Sequence, residues 1–253
     1  MDVKINTFDK ETGRGLFLVD KPMGRSSFWV VRQFKSKFPG LKVGHAGTLD
    51  PLAEGLLIVL VGKATKLQKE FENMDKQYKV ELVFGVTSSS FDLDGEIKIS
   101  KDIENLKKIN KTLIKKALDE NFFGSFIQTV PIYSAVKRNG QRLYKLARKE
   151  KAEKIVLPRR QVELTKFKIN SFCSLSGDKP AENLETALNV YPKAGIVIDV
   201  SKGFYVRSLV SDLGKFLSIG AVTTKLVRTR VGPYKIAKSG PAVTSNTLAS
   251  VDR

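Results

Sequence analysis

Gly44-His45-Ala46-Gly47-Thr48-Leu49-Asp50-Pro51-Leu52-Ala53-Glu54-Gly55 runs directly into Leu56-Leu57-Ile58-Val59-Leu60-Val61. The first part is a turn shaped by glycines and a proline. Glycine supplies positive φ or a close backbone approach, and Pro51 pushes Asp50 towards an extended conformation. The second part has the length and β-branching of a buried strand. Asp50 is therefore a carboxylate on a shaped loop at the lip of a core strand, a common position for catalytic groups. Local pattern leaves a second reading open, in which Asp50 only closes the turn through its own backbone hydrogen bonds.

Upstream, Gly15 to Asp20 reads as a strand and Lys21-Pro22-Met23-Gly24 as a turn. Ser26 or Ser27 is positioned to cap a helix whose inner face is Val30, Val31, Phe34 and Phe38. Downstream, Ala64 to Asn73 reads as helical, Gln77 to Phe84 as a half-buried strand, and Ile97 marks a short return strand. A helix over Thr112 to Asn121 follows, then an amphipathic helix over Gln141 to Lys149 with Arg142, Lys145, Arg148 and Lys149 on its polar face. Strands over Gln161 to Phe167, Ile196 to Val200 and Lys225 to Val231, and a helix over Val206 to Leu217, complete the pattern. Strands outnumber helices without strict alternation, which predicts an α+β fold with a mixed, largely antiparallel central sheet and flanking helices.

The 253 residues carry 44 Lys and Arg against 26 Asp and Glu, a net charge of +18. Lys137 to Arg160 is net +8 and Lys202 to Arg253 net +7, so two tracts hold 15 of the 18 charges. Such clustering fits a polyanionic partner better than an inert solvated surface. One cysteine, Cys173, and one histidine, His45, exclude an intrachain disulfide and a Cys/His zinc site. Cys173 is expected as a small buried hydrophobe. No apolar run approaches the roughly 20 residues that span a bilayer, and the polar N-terminus is not a secretory signal. The expectation is a cytoplasmic protein that does not contact membrane.

The dodecamer around Asp50 resembles the active-site motif of the TruB family of pseudouridine synthases, G-H-x-G-x-L-D-P-x-A-x-G before an apolar strand. Sister families place an Arg two residues before the aspartate, where this chain has Thr48. Asp20-Lys21-Pro22, Lys76-Gln77-Tyr78, and Gly85, Ser88, Ser90, Asp92 and Gly95 are similar to further family elements. Serine replaces threonine twice in the last of these. Gln128, Pro131, Tyr133-Ser134-Ala135, Lys137, Gly140, Tyr144 and Ala147-Arg148 resemble the family's RNA-gripping insertion, about 128–150. Ser201-Lys202-Gly203-Phe204-Tyr205-Val206-Arg207-Ser208-Leu209 and Leu226 continue the likeness to Gly232. Only 21 residues follow Gly232, too few for an independently folded module. The expected organisation is a catalytic domain over 1–232 and a short tail over 233–253.

The resemblance implies isomerisation of uridine to pseudouridine at position 55 in the T loop of transfer RNA, by an enzyme without cofactor or metal. It makes Asp50 the nucleophile, attacking C1′ or C6, and Arg207 its guanidinium partner. Tyr78 and Tyr205 offer flat faces to the extruded base, with a proton-transfer role implied for Tyr78. Leu226 is apolar wall, Lys21 frames the loop, and His45 fills space vacated by flipped nucleotides. Lys137, Arg142, Lys145 and Arg148 grip RNA. A monomer needing no protein partner is expected. Two rivals stand beside this reading: a non-catalytic RNA-binding protein or chaperone, and a guide-RNA-dependent relative.

Overall fold

The computed structural model describes residues 6–134, 136–138, 140–143, 146 and 156–236. The chain divides into two compact units, one comprising residues 1–78 and 226–253 and the other residues 79–225.

In the first unit the apolar run becomes β4 (Ala53–Gly62), which pairs antiparallel with β2 (Arg14–Lys21) and β3 (Val43–Ala46). On its other side β4 runs parallel to β13 (Ala221–Val231), with Leu226 opposite Ala53 and Arg228 opposite Gly55. β1 (Thr7–Asp9) extends β2, β14 (Tyr234–Lys235) extends β13, and β5 (Lys76–Phe84) borders β13. Residues 56–61 are fully buried, which is why the run shows no polar alternation. Leu16, Leu56, Ile58, Leu60, Phe71 and Val231 form the core on one face, with Leu67 and Tyr234 packed against it. That face is closed by a 3₁₀ turn (Lys63–Leu67) and α2 (Gln68–Asn73). On the other face Phe17 meets Phe34 of α1 (Ser27–Lys37) at 5.0 Å between ring centroids. Each such buried apolar side chain contributes about 1.5–3 kcal/mol.

Of the two capping candidates, Ser26 takes the role: its side chain accepts from the Trp29 N–H at 3.1 Å. Ser27 is left for a different task, described below.

The second unit carries the order β5, β12 (Lys193–Val200), β11 (Arg159–Cys173), β8 (Gly124–Thr129). β11 is antiparallel to both β12 and β8, with bulges near Thr165 and Asn170. β6 (Val86–Ser88) and β7 (Ile97–Ile99) make a separate hairpin. Helices α3 (Ile103–Lys108), α4 (Lys111–Asn121), α5 (Leu184–Val190) and α6 (Val206–Phe216) complete the described elements. Parallel and antiparallel pairs coexist and antiparallel ones dominate, as the α+β reading requires.

Two expectations are corrected. Gln141–Arg142 is not the start of a helix but strand β10, paired antiparallel with β9 (Lys137–Arg138). Leu143 and Leu146 are helical, and residues 144, 145 and 147–149 of the expected helix lie outside the described residues. Cys173 is exposed rather than buried, because it ends the 15-residue β11 beyond the covered part of the sheet. β8, α3 and α5, which the sequence pattern did not predict, are short or weakly periodic. Among the described residues no helix is long and apolar enough to cross a membrane.

Candidate active site

Asp50 is half-buried on the loop between β3 and β4, and that loop is held at successive points along its backbone. Arg228 donates through a guanidinium N–H to the Gly47 carbonyl at 2.9 Å and through Nε to the Leu56 carbonyl at 2.7 Å. The Ser27 hydroxyl accepts from the Leu49 N–H at 2.8 Å and donates to the Leu49 carbonyl at 2.9 Å. Gly24, in the Lys-Pro turn, donates its N–H to the Pro51 carbonyl at 2.8 Å, and Ala53 donates to the Asp50 carbonyl at 3.1 Å. The residues on either side of Asp50 therefore have little freedom, which is the preorganisation a positioned nucleophile needs. Gly55 is obligatory: at φ +97° a Cβ would lie 2.4 Å from the Arg228 carbonyl oxygen. The loop thus enters β4 only where β13 can approach at backbone distance.

Lys21 is fully buried at the end of β2 and donates to the carbonyls of Pro22 at 2.9 Å and Arg25 at 2.6 Å. Burial pulls its pKa down from 10.5 to about 8; the charges of Asp50 and Glu54 oppose that shift and Arg228 adds to it. Lys21 and Arg228 thus bring two cations into the electrostatic environment of Asp50 and Glu54. Leu226, 5% exposed, lies beside the loop through its pairing with Ala53. His45 sits half-buried in β3 opposite Val59, and Tyr78 is buried in β5.

Arg207 belongs to the second unit, at the second position of α6, and is only 3% exposed. It bonds the Asp92 carboxylate at 3.1 Å, the Ser90 carbonyl at 2.6 Å and the Tyr133 carbonyl at 3.0 Å. The Ser88, Ser90 and Asp92 pattern is the other half of this anchor: the Ser88 and Ser90 hydroxyls are 3.1 Å apart, and Ser90 donates to Asp92. A Cβ at Gly95 would lie 2.5 Å from both hydroxyls, which accounts for the glycine. The hydroxyls that serine keeps from threonine are the atoms this network uses.

Tyr205 is gripped by Gln128, whose side-chain amide accepts from its N–H at 2.8 Å and donates to its carbonyl at 2.9 Å. Its ring packs against Val130, Ile132 and Leu143. Lys137 and Arg142 are register partners in the β9–β10 ladder, while Lys145 and Arg148 lie outside the described residues.

Arg228 and Glu54 were not singled out by the sequence. Ser27 was read only as a cap or motif residue and Asp92 only as a motif residue, without the partners they have here. A period-two reading of β13 does place Arg228 on the same face as Leu226, and that is the signal that could have found it.

The profile of the TruB family pseudouridylate synthases, N-terminal domain, matches residues 32–206. The tRNA pseudouridine synthase B of Fusobacterium nucleatum is 36% identical over 222 residues, 88% of this chain and 69% of that protein. That of Endomicrobium trichonymphae is 38% identical over 222 residues, 88% of this chain and 86% of its own length. That of Pelotomaculum thermopropionicum reaches 41% over 226 residues, 89% and 66%. Among solved structures, a Cbf5-Nop10-Gar1 complex contains a chain that superposes with a TM-score of 0.58 at 25% identity. The alignment covers 88% of this chain and about half (50%) of that one. A profile match over most of the chain, together with relatives above 30% identity along most of their length, makes this chain a member of the TruB family of pseudouridylate synthases.

Proposed function

We propose that this chain isomerises uridine to pseudouridine in transfer RNA, at position 55 of the T loop, with Asp50 as the nucleophile. The observation that carries the reading is the loop itself: Arg228, Ser27 and Gly24 fix the backbone immediately before and after one carboxylate. The reaction breaks N1–C1′ and forms C5–C1′, while C5 loses a proton and N1 gains one. Nothing is oxidised and no outside group enters. A carboxylate that attacks C1′ or C6 gives a covalent intermediate from which the base can turn.

Membership of the family and the names of the relatives support transfer RNA as substrate. Arg207 is proposed as the guanidinium that orients Asp50. Its own anchoring by Asp92, Ser90 and Tyr133 supports a fixed position for it. Tyr78 and Tyr205 are proposed as base-stacking faces, Tyr78 also in proton transfer, Leu226 as apolar wall, His45 as the filler of the opened RNA loop, and Lys21 as the frame. Lys137, Arg142, Lys145 and Arg148 are proposed to grip the T arm. The enzyme is proposed to work as a cytoplasmic monomer without cofactor, metal or protein partner.

The test is tritium release from C5 of labelled uridine in a T-arm stem-loop and in full-length transfer RNA. Release from position 55 alone is expected; no release from either RNA would overturn the reading.

A further inference from the structure

α1 begins at the clamp that holds the candidate nucleophile. Ser27 bonds Leu49, and the next residue, Phe28, is 56% exposed. Gly24 bonds Pro51, and the residues on either side of it, Met23 and Arg25, are exposed as well. Along the solvent side of the helix, the Arg32 guanidinium and the Lys35 ammonium each lie 5.9 Å from the centre of the Phe28 ring. The Arg25 guanidinium lies 5.3 Å over the half-buried Trp29 ring. Positions 28, 29, 32 and 35 share one face of α1, and Arg25, just before the helix, reaches it over the Trp29 ring, so an aromatic and cationic stripe starts beside Ser27, which is bonded to the Asp50 loop.

Its charge is unlike that of α3 and α4. On α4, Lys115 pairs with Asp119 and Lys116 with Glu120; on α3, Lys107 pairs with Glu104. Those lysines belong to self-neutralised, solvated faces. Between Arg25 and Lys37 the sequence contains no Asp or Glu. An exposed aromatic flanked by cations that its own helix does not neutralise suits a ligand with negative charge and flat faces together.

We propose that this face of α1 docks the sugar–phosphate backbone of the RNA strand that carries the reactive uridine, with Phe28 against a sugar or base and Arg25, Arg32 and Lys35 on phosphates. The proposal rests on the reading that the chain acts on RNA. This face begins at Ser27 and Gly24, which are bonded to the Asp50 loop, so it lies within reach of the nucleotides flanking a uridine at Asp50. An acidic protein would match the charge but has no comparable reason to lie beside the nucleophile.

Trp29 is the only tryptophan in the chain, so its fluorescence reports on this helix. Titrating a T-arm stem-loop transcript into the protein should change Trp29 emission saturably and with steep salt dependence. Arg32→Glu with Lys35→Glu should weaken binding and flatten the log–log salt slope by at least about 1.4–1.8, at roughly 0.7–0.9 per lost contact. Phe28→Ala should raise Kd and leave the slope alone. Lys115→Glu with Lys116→Glu, on the self-neutralised helix, should leave the slope at its wild-type value. A folded Arg32→Glu, Lys35→Glu protein that keeps the wild-type slope, or an RNA complex that leaves Trp29 emission unchanged, would overturn the proposal. Tritium release is measured separately. A protein that shows the emission change and slope loss but releases no tritium would support this surface and refute the synthase reading. One that turns over normally with both charges reversed would refute the surface alone.

Discussion

Replacing Arg228 by methionine removes two donors from beneath the Asp50 loop while keeping most of the side-chain volume. Arg228 is 1% exposed, so it cannot touch RNA, and any effect on turnover must pass through the loop. Two hydrogen bonds from a charged donor, at 2.7 and 2.9 Å, are lost, and the carbonyls of Leu56 and Gly47 are left without these partners. A buried acceptor left unsatisfied costs about 1–3 kcal/mol, so two give about 2–6 kcal/mol. Methionine no longer requires burial of a charge, which offsets part of that cost. We expect a net loss of about 2–4 kcal/mol by urea unfolding, within the range these terms allow. The kinetic effect should be larger in kind. Without that bond the Gly47 carbonyl loses its anchor, and a displacement near 1 Å in a catalytic group lowers the rate on the order of 100-fold. Single-turnover tritium release at saturating stem-loop RNA should therefore fall by that factor, with RNA affinity little changed. Arg228→Lys, able to keep one of the two bonds, should recover part of the rate. A folded Arg228→Met enzyme with near-normal single-turnover rate would refute the argument that this residue positions the loop.

Ser27→Ala breaks both bonds to Leu49 and should cost about 1–3 kcal/mol in urea unfolding and lower kcat more than it raises KM; a pure KM effect would contradict the clamp. Asp92→Asn removes the charge of the carboxylate bonded to the buried Arg207 guanidinium, and should destabilise the fold by about 1.5–3 kcal/mol and cut turnover; an unchanged melting temperature would contradict the pairing. Lys21 gives a pH signature. Its folded pKa of about 8 lies below the 10.5 of the unfolded chain, so the native state releases this proton first as pH rises. Its contribution to stability is therefore least favourable below pH 8 and improves between about pH 8 and 10.5. Subtracting the Lys21→Met urea profile from that of the wild type should reveal this rise; a flat difference would show that Lys21 titrates normally.

How much of this was legible in the sequence differs from one residue to the next. The run 56–61 identified a strand buried on both faces, and β4 is one. Ser26 and Ser27 could not be separated by type, because both are good caps; only the packing of α1 against the loop decides that Ser27 faces Leu49. Arg207 near a helix start reads as a solvated charge, and its partners Ser90 and Asp92 lie more than 100 positions away. Such a long-range pairing leaves no trace in local periodicity. Alternation with Leu226 puts Arg228 on the inward face of β13, but its charge argues against burial there, and it goes in all the same. Burying it is possible because β4 and the loop turn two carbonyls towards it. Asn139-Gly140 read only as a breaker, and the leucine spacing beyond it suggested a helix starting at Gln141, where the chain is still paired as a strand.

The central claim is that Asp50 is the group that attacks the nucleotide. Asp50→Asn keeps the shape of the side chain and removes its anionic oxygen, and the loop clamps use backbone atoms that the change does not touch. Tritium release from transfer RNA by a purified Asp50→Asn protein, with its RNA affinity measured alongside, tests the claim most directly. The account predicts no detectable release and an affinity within about tenfold of wild type, or 1.4 kcal/mol. Sustained turnover by that variant would contradict it.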